Sequence, residues 1–250
     1  MTEQINIDVL GPIDASAGGL PIPLGGPKQR AALAALVLAE GRVVAVAALV
    51  DVLWDTAPPP TAVTKVQGHV YALRKALGHT GTAGQALVTR APGYLLRSDL
   101  ITTDLARFDA LTRQSSAHAQ ACRPADASDL LAAAIALWRG AAFADVPAPA
   151  IRAAADRLAE RYLRAVEDKA RLDLDLGRYR RVLDETVGPL EEHPFRDRLH
   201  ELHMLALIRM GRPLEAIASY QRCRLILSKE LGVEPGGRLR RLAASIGYQS

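Results

Sequence analysis

The chain is short of several things, and each shortage removes a class of protein. Of its 250 residues only two are cysteine, Cys122 and Cys223. Standing about a hundred residues apart, they make neither a disulfide framework nor a Cys-x-x-Cys metal site. Two free thiols in a reducing compartment are the plain expectation. No apolar run reaches the ~18 residues a membrane-spanning helix needs. Met1-Thr2-Glu3-Gln4 lacks the basic-then-apolar layout of a signal peptide. A cytoplasmic protein with no membrane partner is therefore expected. Aromatics are only 4% and lysines only five, against 26 arginines. Net charge is small too: 31 basic against 27 acidic residues gives +4, too little to imply a nucleic-acid partner by itself.

What is abundant is alanine, 44 residues, and apolar character, 49% against 23% charged. That composition is globular and helix-favouring. The length suits one or two domains. The placement of charge says more than its sum. From Thr56 to Ser98, 43 residues contain no Asp or Glu, but they hold Lys65, Arg74, Lys75, Arg90 and Arg97. A segment cleared of negative charge is what a phosphate backbone requires.

The first hundred residues mix strand and helix signals. Ile5, Ile7 and Val9 alternate with polar residues, as in a strand with one buried face, and Gly11-Pro12 ends it. Leu20, Ile22 and Leu24 alternate again among prolines, which suits a sheet edge. Gly25-Gly26-Pro27 breaks the chain and starts a helix at about Lys28–Ala39, burying Leu33, Leu36 and Val37. Val43-Val44 suits a short strand, followed by a second helix over about Val46–Trp54. A third helix, about Ala62–Leu77, carries Val63, Val66, Val70, Leu73 and Leu77 as one apolar stripe and ends at Gly78. Two strands around Ala91-Pro92-Gly93 then read as a hairpin. Strands, three helices and a hairpin make a winged helix-turn-helix over residues 1–98.

Beyond Ser98-Asp99 the strand signals vanish. The pattern predicts helices over about Asp104–Ala121, Ala125–Trp138, Ala150–Leu176, Tyr179–Glu192, Phe195–Met210, Pro213–Leu231 and Pro235–Ile246. Leu176-Gly177-Arg178 and Met210-Gly211-Arg212 occupy matching turns 34 residues apart, the period of the tetratricopeptide repeat. Ala216, Tyr220 and Cys223 fit that repeat's small, aromatic and small positions. Val182, Thr186 and Pro189 fit them less well, and Pro194 falls where the repeat ends. The expected fold is mainly α with a small β component: an N-terminal winged helix-turn-helix, then an all-α tetratricopeptide-like domain over about 101–250. Such arrays generally offer protein-binding surfaces.

In a winged helix the third helix enters the major groove. Opposite its apolar stripe lie Thr61, Thr64, Gly68, Tyr71 and Lys75, flanked by Lys65 and Ala72. Gly68 costs about 1 kcal/mol relative to Ala in a helix interior. Either it lets the backbone approach base edges, or it is a tolerated surface glycine. Thr64 and Lys65 are placed to read bases and Lys75 to meet phosphate. Lys28, Gln29 and Arg30 open the first helix, whose free amide groups with the two cations would suit a DNA phosphate; the bland alternative is a solvated helix start. The spacing is not that of a nucleotide-binding loop. Arg90, beside Thr89 near the hairpin tip, suits the negative potential of a minor groove, or it merely supports the turn.

Rival chemistries are weaker. His200-Glu201-Leu202-His203 lacks the zinc-protease spacing, and packing is the usual role on an inner repeat helix. No metal, cofactor or catalytic set is expected, so the chain reads as a non-enzyme. Arg152, Arg157, Arg161 and Arg164 mark a basic face on the long Ala150–Leu176 helix, which is commonly just solvated. A protein-interaction scaffold built on the repeats, or a repressor using the same DNA-binding domain, remains an alternative.

Several motifs together resemble one family. Gly26-Pro27-Lys28-Gln29-Arg30, Leu53-Trp54, Pro59-Pro60-Thr61-Ala62, Leu73-Arg74-Lys75-Ala76-Leu77-Gly78 and Gly93-Tyr94-Leu95-Leu96 resemble the OmpR-type winged helix of the Streptomyces antibiotic regulatory proteins. Asp104, Phe108, Leu137-Trp138-Arg139-Gly140, His193-Pro194, Met204-Leu205-Ala206-Leu207 and Leu231-Gly232-Val233-Glu234-Pro235 look like that family's bacterial transcriptional activation domain. The resemblance implies an activator of an antibiotic biosynthetic gene cluster that binds direct repeats near the promoter −35 region. It further implies side-by-side homodimers on double-stranded promoter DNA and recruitment of RNA polymerase holoenzyme. By position it assigns recognition to Thr64, Gly68, Tyr71, Ala72 and Lys75, and the wing contact to Arg90. The chain departs from the pattern at Ala45 and Ala47, where Ser and Asp commonly cap and start the second helix. It shows no Walker motif or phosphopeptide-binding module, so control by ATP or by a phosphoprotein is not implied.

Overall fold

In the computed structural model, which describes residues 4–78 and 86–247, alternation at the N-terminus gives strand β1 (Ile5–Asp8), with Ile5 and Ile7 buried and Asn6 exposed. It pairs antiparallel with β2 (Asp14–Ala17), which pairs with the two-residue β3 (Leu20–Pro21). The strand expected through Leu24 stops at Pro21, although Ile22 and Leu24 are still buried. On its other side β1 pairs in parallel with β7 (Ile101–Thr103), giving the order β3-β2-β1-β7. Strand structure thus continues past residue 99, contrary to the sequence expectation. Three residues are too few to show an alternation, and their partner lies almost a hundred residues upstream.

Helices α1 (Pro27–Leu38), α2 (Val46–Trp54) and α3 (Ala62–Gly78) follow. Pro27 at the first helical position lacks only an N–H that would have had no intrahelical partner. Small residues let α1 sit deep: Ala31, Ala32, Leu33, Ala34, Leu36 and Val37 are all buried. Helix α2 starts at Ala45 without a side-chain cap, as the alanine there dictates. In α3 the buried stripe is Ala62, Val66, Val70, Leu73 and Leu77. Val63, expected in the core, is 53% exposed, because it stands about 60° around the helix from Val66 while Ala62 fills the inner position. The second sheet has the order β4-β6-β5, with β4 (Val44–Ala45), β5 (Leu87–Arg90) and β6 (Gly93–Leu96). A Cβ at Gly93 would overlap the carbonyl oxygen of Val44, so only glycine permits that rung.

The remaining helices are α4 (Asp104–Gln120), α5 (Pro124–Ile135), α6 (Pro149–Asp175), α7 (Tyr179–Glu192), α8 (Asp197–Arg209), α9 (Pro213–Leu231) and α10 (Gly237–Ser245). The chain folds as two compact units. Among the described residues, one holds those up to Ala110 together with Ala136–Arg161; the other holds Leu111–Ile135 and those from Tyr162 onward.

In the first unit the 136–161 segment is stitched to the N-terminal sheet by named bonds. Arg139 N–H donates to the Leu10 carbonyl (2.7 Å) and Phe143 N–H to that of Val9 (3.0 Å). Asp145 accepts from the Ile13 N–H at 2.8 Å. The buried Asp104 carboxylate accepts from Val9 N–H and Leu10 N–H, each at 2.8 Å. Burial pushes the Asp104 carboxyl up, against the pull of those two N–H groups. Phe108 and Trp138 pack edge to face, 5.6 Å between centroids.

In the second unit the two repeat turns share one backbone solution, Gly177 at φ +75° and Gly211 at φ +73°, the left-handed region glycine enters without steric cost. Val182, Leu202, Met204, Ala216, Tyr220 and Cys223 form its core. Thr186, the poorer repeat match, is fully buried because its hydroxyl is satisfied. It donates to the Val182 carbonyl (2.7 Å) and lies 2.8 Å from His203 Nδ1. A buried polar knot joins α5 and α6: Ser128 Oγ donates to Asp173 (2.7 Å), and Lys169 Nζ does so from one turn earlier (2.7 Å). Burial pushes the Asp173 carboxyl up, but the hydrogen bonds from Lys169 and Ser128 and the charges of Lys169 and Arg181 outweigh it, leaving the group below its usual value.

Candidate nucleic-acid interface

Core packing fixes the rotation of α3. With Val66, Val70, Leu73 and Leu77 buried, the helix must present Thr64, Lys65, Gly68, Tyr71 and Lys75 outward, and all five are exposed. Tyr71 is 72% exposed, far more than a tyrosine placed for packing. Ala72 is half-buried at the edge of this face, and Thr61 sits exposed just ahead of the first helical residue. Among the described residues, a Cβ at Gly68 would meet no atom within 4 Å. No described residue therefore requires glycine there, although it costs the helix about 1 kcal/mol relative to alanine.

Sequence reasoning missed Gln67, which is exposed beside this face. Its amide has the donor–acceptor pair that matches an adenine edge. Its position about 100° from Val66 was readable from helical periodicity alone. His69, in contrast, turns toward the interior, 6.3 Å from the Trp54 ring. Burial, together with the charges of Lys28 and Lys65, holds its imidazole below the ordinary value, so it adds no cation to the face at neutral pH.

The wing candidate Arg90 is exposed at the end of β5, opposite Gly93. Of the other basic residues in the acid-free segment, Arg97 makes a surface pair and Arg74 turns to the hairpin. Arg97 forks onto Asp99, its Nε 3.1 Å from Oδ1. Arg74 donates from Nε to the Leu87 carbonyl (2.8 Å) and from Nη2 to Thr89 Oγ1 (2.6 Å), and lies 5.6 Å from the centre of the Tyr94 ring.

At the second candidate anion site all three side chains are engaged within the protein. Lys28 bends its ammonium group back to the Leu53 carbonyl, in the last turn of α2, and over the Trp54 ring at 5.3 Å. There it serves the C-terminus of α2. Gln29 Oε1 accepts from the Gly26 N–H at 2.6 Å, closing a capping interaction. Arg30 donates to the carbonyls of Gly25 (3.1 Å) and Ile13 (3.0 Å) and pairs with Asp145. All three side chains hold the fold together at the start of α1.

The basic face expected on α6 is also divided. Arg152 donates to the Pro147 carbonyl at 2.8 Å, and Arg161 pairs with Asp109 and stands over Phe108. Arg157 and Arg164 are exposed. His200 and His203 are engaged as packing residues. The first has Nε2 2.9 Å from the Pro194 carbonyl, and the second is bonded to Thr186 and, chiefly by burial, pushed down to about 4. Among the described residues no three His, Cys, Asp or Glu side chains are grouped to hold a metal, and no helix is long and apolar enough to cross a membrane. A groove of about 500 Å³ lies between α7, α8 and α9, with Val187 and Met210 exposed along it.

Comparison with known proteins agrees with this architecture. The family described as transcriptional regulatory protein, C terminal, matches residues 21–96, and the bacterial transcriptional activator domain matches residues 103–247. The regulatory protein DnrI of Streptomyces peucetius is 36% identical, with 97% of this chain and 92% of DnrI covered. The regulatory protein AfsR of Streptomyces coelicolor is 38% identical over 97% of this chain, which spans only 24% of AfsR. A solved structure of Mycobacterium tuberculosis EmbR in complex with a low-affinity phosphopeptide superposes with a TM-score of 0.88 at 34% identity, covering 98% of this chain and 65% of that one. The activator-domain match spans more than half of the sequence and DnrI is matched over nearly its full length; the chain belongs to the Streptomyces antibiotic regulatory protein family of transcriptional regulators.

Proposed function

We propose that this protein is a sequence-specific DNA-binding transcriptional activator of a secondary-metabolite biosynthetic gene cluster. The observation that carries the DNA-binding reading is the outward face of α3. It joins Thr64, Lys65, Gly68, Tyr71 and Lys75 in a segment without a single acidic residue, and among the described residues none packs against its glycine. Thr64, Lys65 and Gln67 read base edges in the major groove, Gly68 and Ala72 admit the backbone close to the duplex, and Tyr71 and Lys75 contact the sugar–phosphate chain. Thr61 meets phosphate at the helix start, and Arg90 enters the adjoining minor groove.

Residues 1–98 supply DNA recognition and residues from about 101 onward supply protein contacts. Two copies bind side by side on direct repeats near the −35 region, and the helical array meets RNA polymerase holoenzyme. The work is done in the cytoplasm, without catalysis. Support comes from the family membership, from DnrI, a regulatory protein matched almost end to end, and from RedD of Streptomyces coelicolor, a transcriptional regulator 37% identical.

Genomic footprinting of bound sites, followed by transcription in vitro from the bound promoters with purified RNA polymerase, tests the proposal. Direct repeats upstream of a biosynthetic cluster and stimulated transcription are expected. Binding without stimulation, or with reduced transcript, would make the protein a repressor. Failure to retard any promoter DNA would leave only a scaffold.

A further inference from the structure

Arg74 sits on the recognition helix, but its side chain leaves the face formed by Thr64, Gly68, Tyr71 and Lys75. It is half-buried and turned toward the hairpin. Its two guanidinium donors reach the Leu87 carbonyl (2.8 Å) and the Thr89 hydroxyl (2.6 Å) on β5, and its guanidinium carbon lies 5.6 Å from the centre of the Tyr94 ring on β6. Thr89 and Tyr94 are directly opposed across the hairpin, and the next rung toward the turn pairs Arg90 with Gly93. One side chain therefore grips both strands of the hairpin one rung from the wing arginine. The far side of that hairpin is held too, since Gly93 packs against the Val44 carbonyl without room for a Cβ.

We propose that Arg74 is a positioning residue: it fixes the angle and distance between the recognition helix and the wing, so that Arg90 and the α3 face engage one duplex at the same time. The proposal rests on the DNA-interface reading above. A guanidinium suits the task because it is planar and always charged, and its donors are set at fixed angles, so two bonds to the hairpin restrict its orientation. A lysine would keep the charge but has no rigid pair of donors at fixed angles to hold both acceptors. Arg74 thus contributes to affinity through Arg90 rather than by its own charge.

The test uses the full chain and a promoter fragment carrying a footprinted site, with affinities measured over a range of salt concentrations. Arg90→Ala in the otherwise native protein is expected to weaken binding about tenfold and to flatten its salt dependence. Arg74→Lys is expected to weaken binding by a similar factor. The double variant is expected to bind no worse than Arg74→Lys alone, because an unpositioned wing has nothing more to lose. Equal losses from Arg90→Ala in both backgrounds, or native affinity in Arg74→Lys, would overturn the proposal.

A second measurement needs no DNA. Spin labels at Gln67 and Ala91, in a Cys122→Ser background that leaves the buried Cys223 in place, report the distance between helix and wing. Arg74→Lys should broaden that distance distribution while the circular dichroism stays native. An unchanged distribution overturns the clamp itself. A broadened distribution with undiminished DNA binding overturns instead the reading of the hairpin as a DNA contact.

Discussion

The start of α1 and the outer face of α3 look alike as sequence and behave oppositely as structure. Both bring cations to a helix in the N-terminal hundred residues, and both suit phosphate on paper. At α1, Lys28 and Arg30 are drawn inward, because unpaired carbonyls at Leu53, Gly25 and Ile13 and the carboxylate of Asp145 lie within reach. At α3, a stripe of four large apolar residues turns Lys65 and Lys75 away from the core. A cation's role is decided by the acceptors that folding brings near it, and sequence reports the cation but not the acceptors.

The sharpest way to break this contrast is a paired substitution experiment. Thr64→Ala with Lys65→Ala should reduce promoter affinity by about 1–3 kcal/mol for each base the helix can no longer read, with the melting temperature nearly unchanged. Gel shifts and thermal denaturation read the two effects, and undiminished binding would remove α3 from the interface. Arg30→Ala should do the reverse. Losing a bidentate-capable partner of two carbonyls and a carboxylate should cost stability on the order of 1–3 kcal/mol, while the folded fraction still binds promoter DNA. A large affinity loss with intact stability would return Arg30 to the DNA surface.

Inward placement also predicts a pH effect in the second unit. His203 has a folded value pushed down to about 4 from an ordinary 6.5. A histidine lowered in this way contributes stability that is complete above 6.5 and is lost as the pH falls toward 4. Allowing for solvent screening, the loss amounts to roughly 2 kcal/mol. Denaturant melts between neutral pH and pH 4 should show that slope, and His203→Gln should flatten it.

A smaller effect separates fold from function most cleanly. Gly68→Ala should stabilise the protein by up to about 1 kcal/mol, since the added methyl meets open space, and should nevertheless weaken promoter binding. Greater stability with equal affinity would make Gly68 an ordinary surface glycine. Smallest of all, Ala45→Asp should add a cap to α2, gaining about 0.5–1 kcal/mol with no change in DNA affinity.

Much of the fold was legible because it is locally encoded. Helix α2 falls where the pattern places it, and α3 and α7 agree to within a residue, since Leu49 with Leu53 and Val66 with Val70 state their own periodicity. The paired turns at Gly177 and Gly211 were legible for the same reason: each needs a left-handed residue at a fixed step of the repeat. Strands β2 and β7 were not legible. Asp14–Ala17 has weak strand propensity, and Ile101–Thr103 is too short to alternate, so both exist by virtue of pairing with β1. At the interface, rotation about α3 was readable and even pointed to Gln67. The partners of Lys28, Arg30 and Arg74 were not, because each lies on another element.

The sequence by itself determined the helical repeat, the three-helix-and-hairpin order and the acid-free segment from Thr56 to Ser98, which depend on spacing and composition along one stretch of chain. Only the tertiary structure decided which cations face outward and how the chain divides. Asp145 accepts from the backbone N–H of Ile13, and the Arg139 and Phe143 N–H groups donate to the carbonyls of Leu10 and Val9; these bonds bring Ala136–Arg161 into the same compact unit as the winged helix. The physical reason is that buried donors must be paired wherever the partner lies in the chain, and the nearest partner in space is seldom the nearest in sequence.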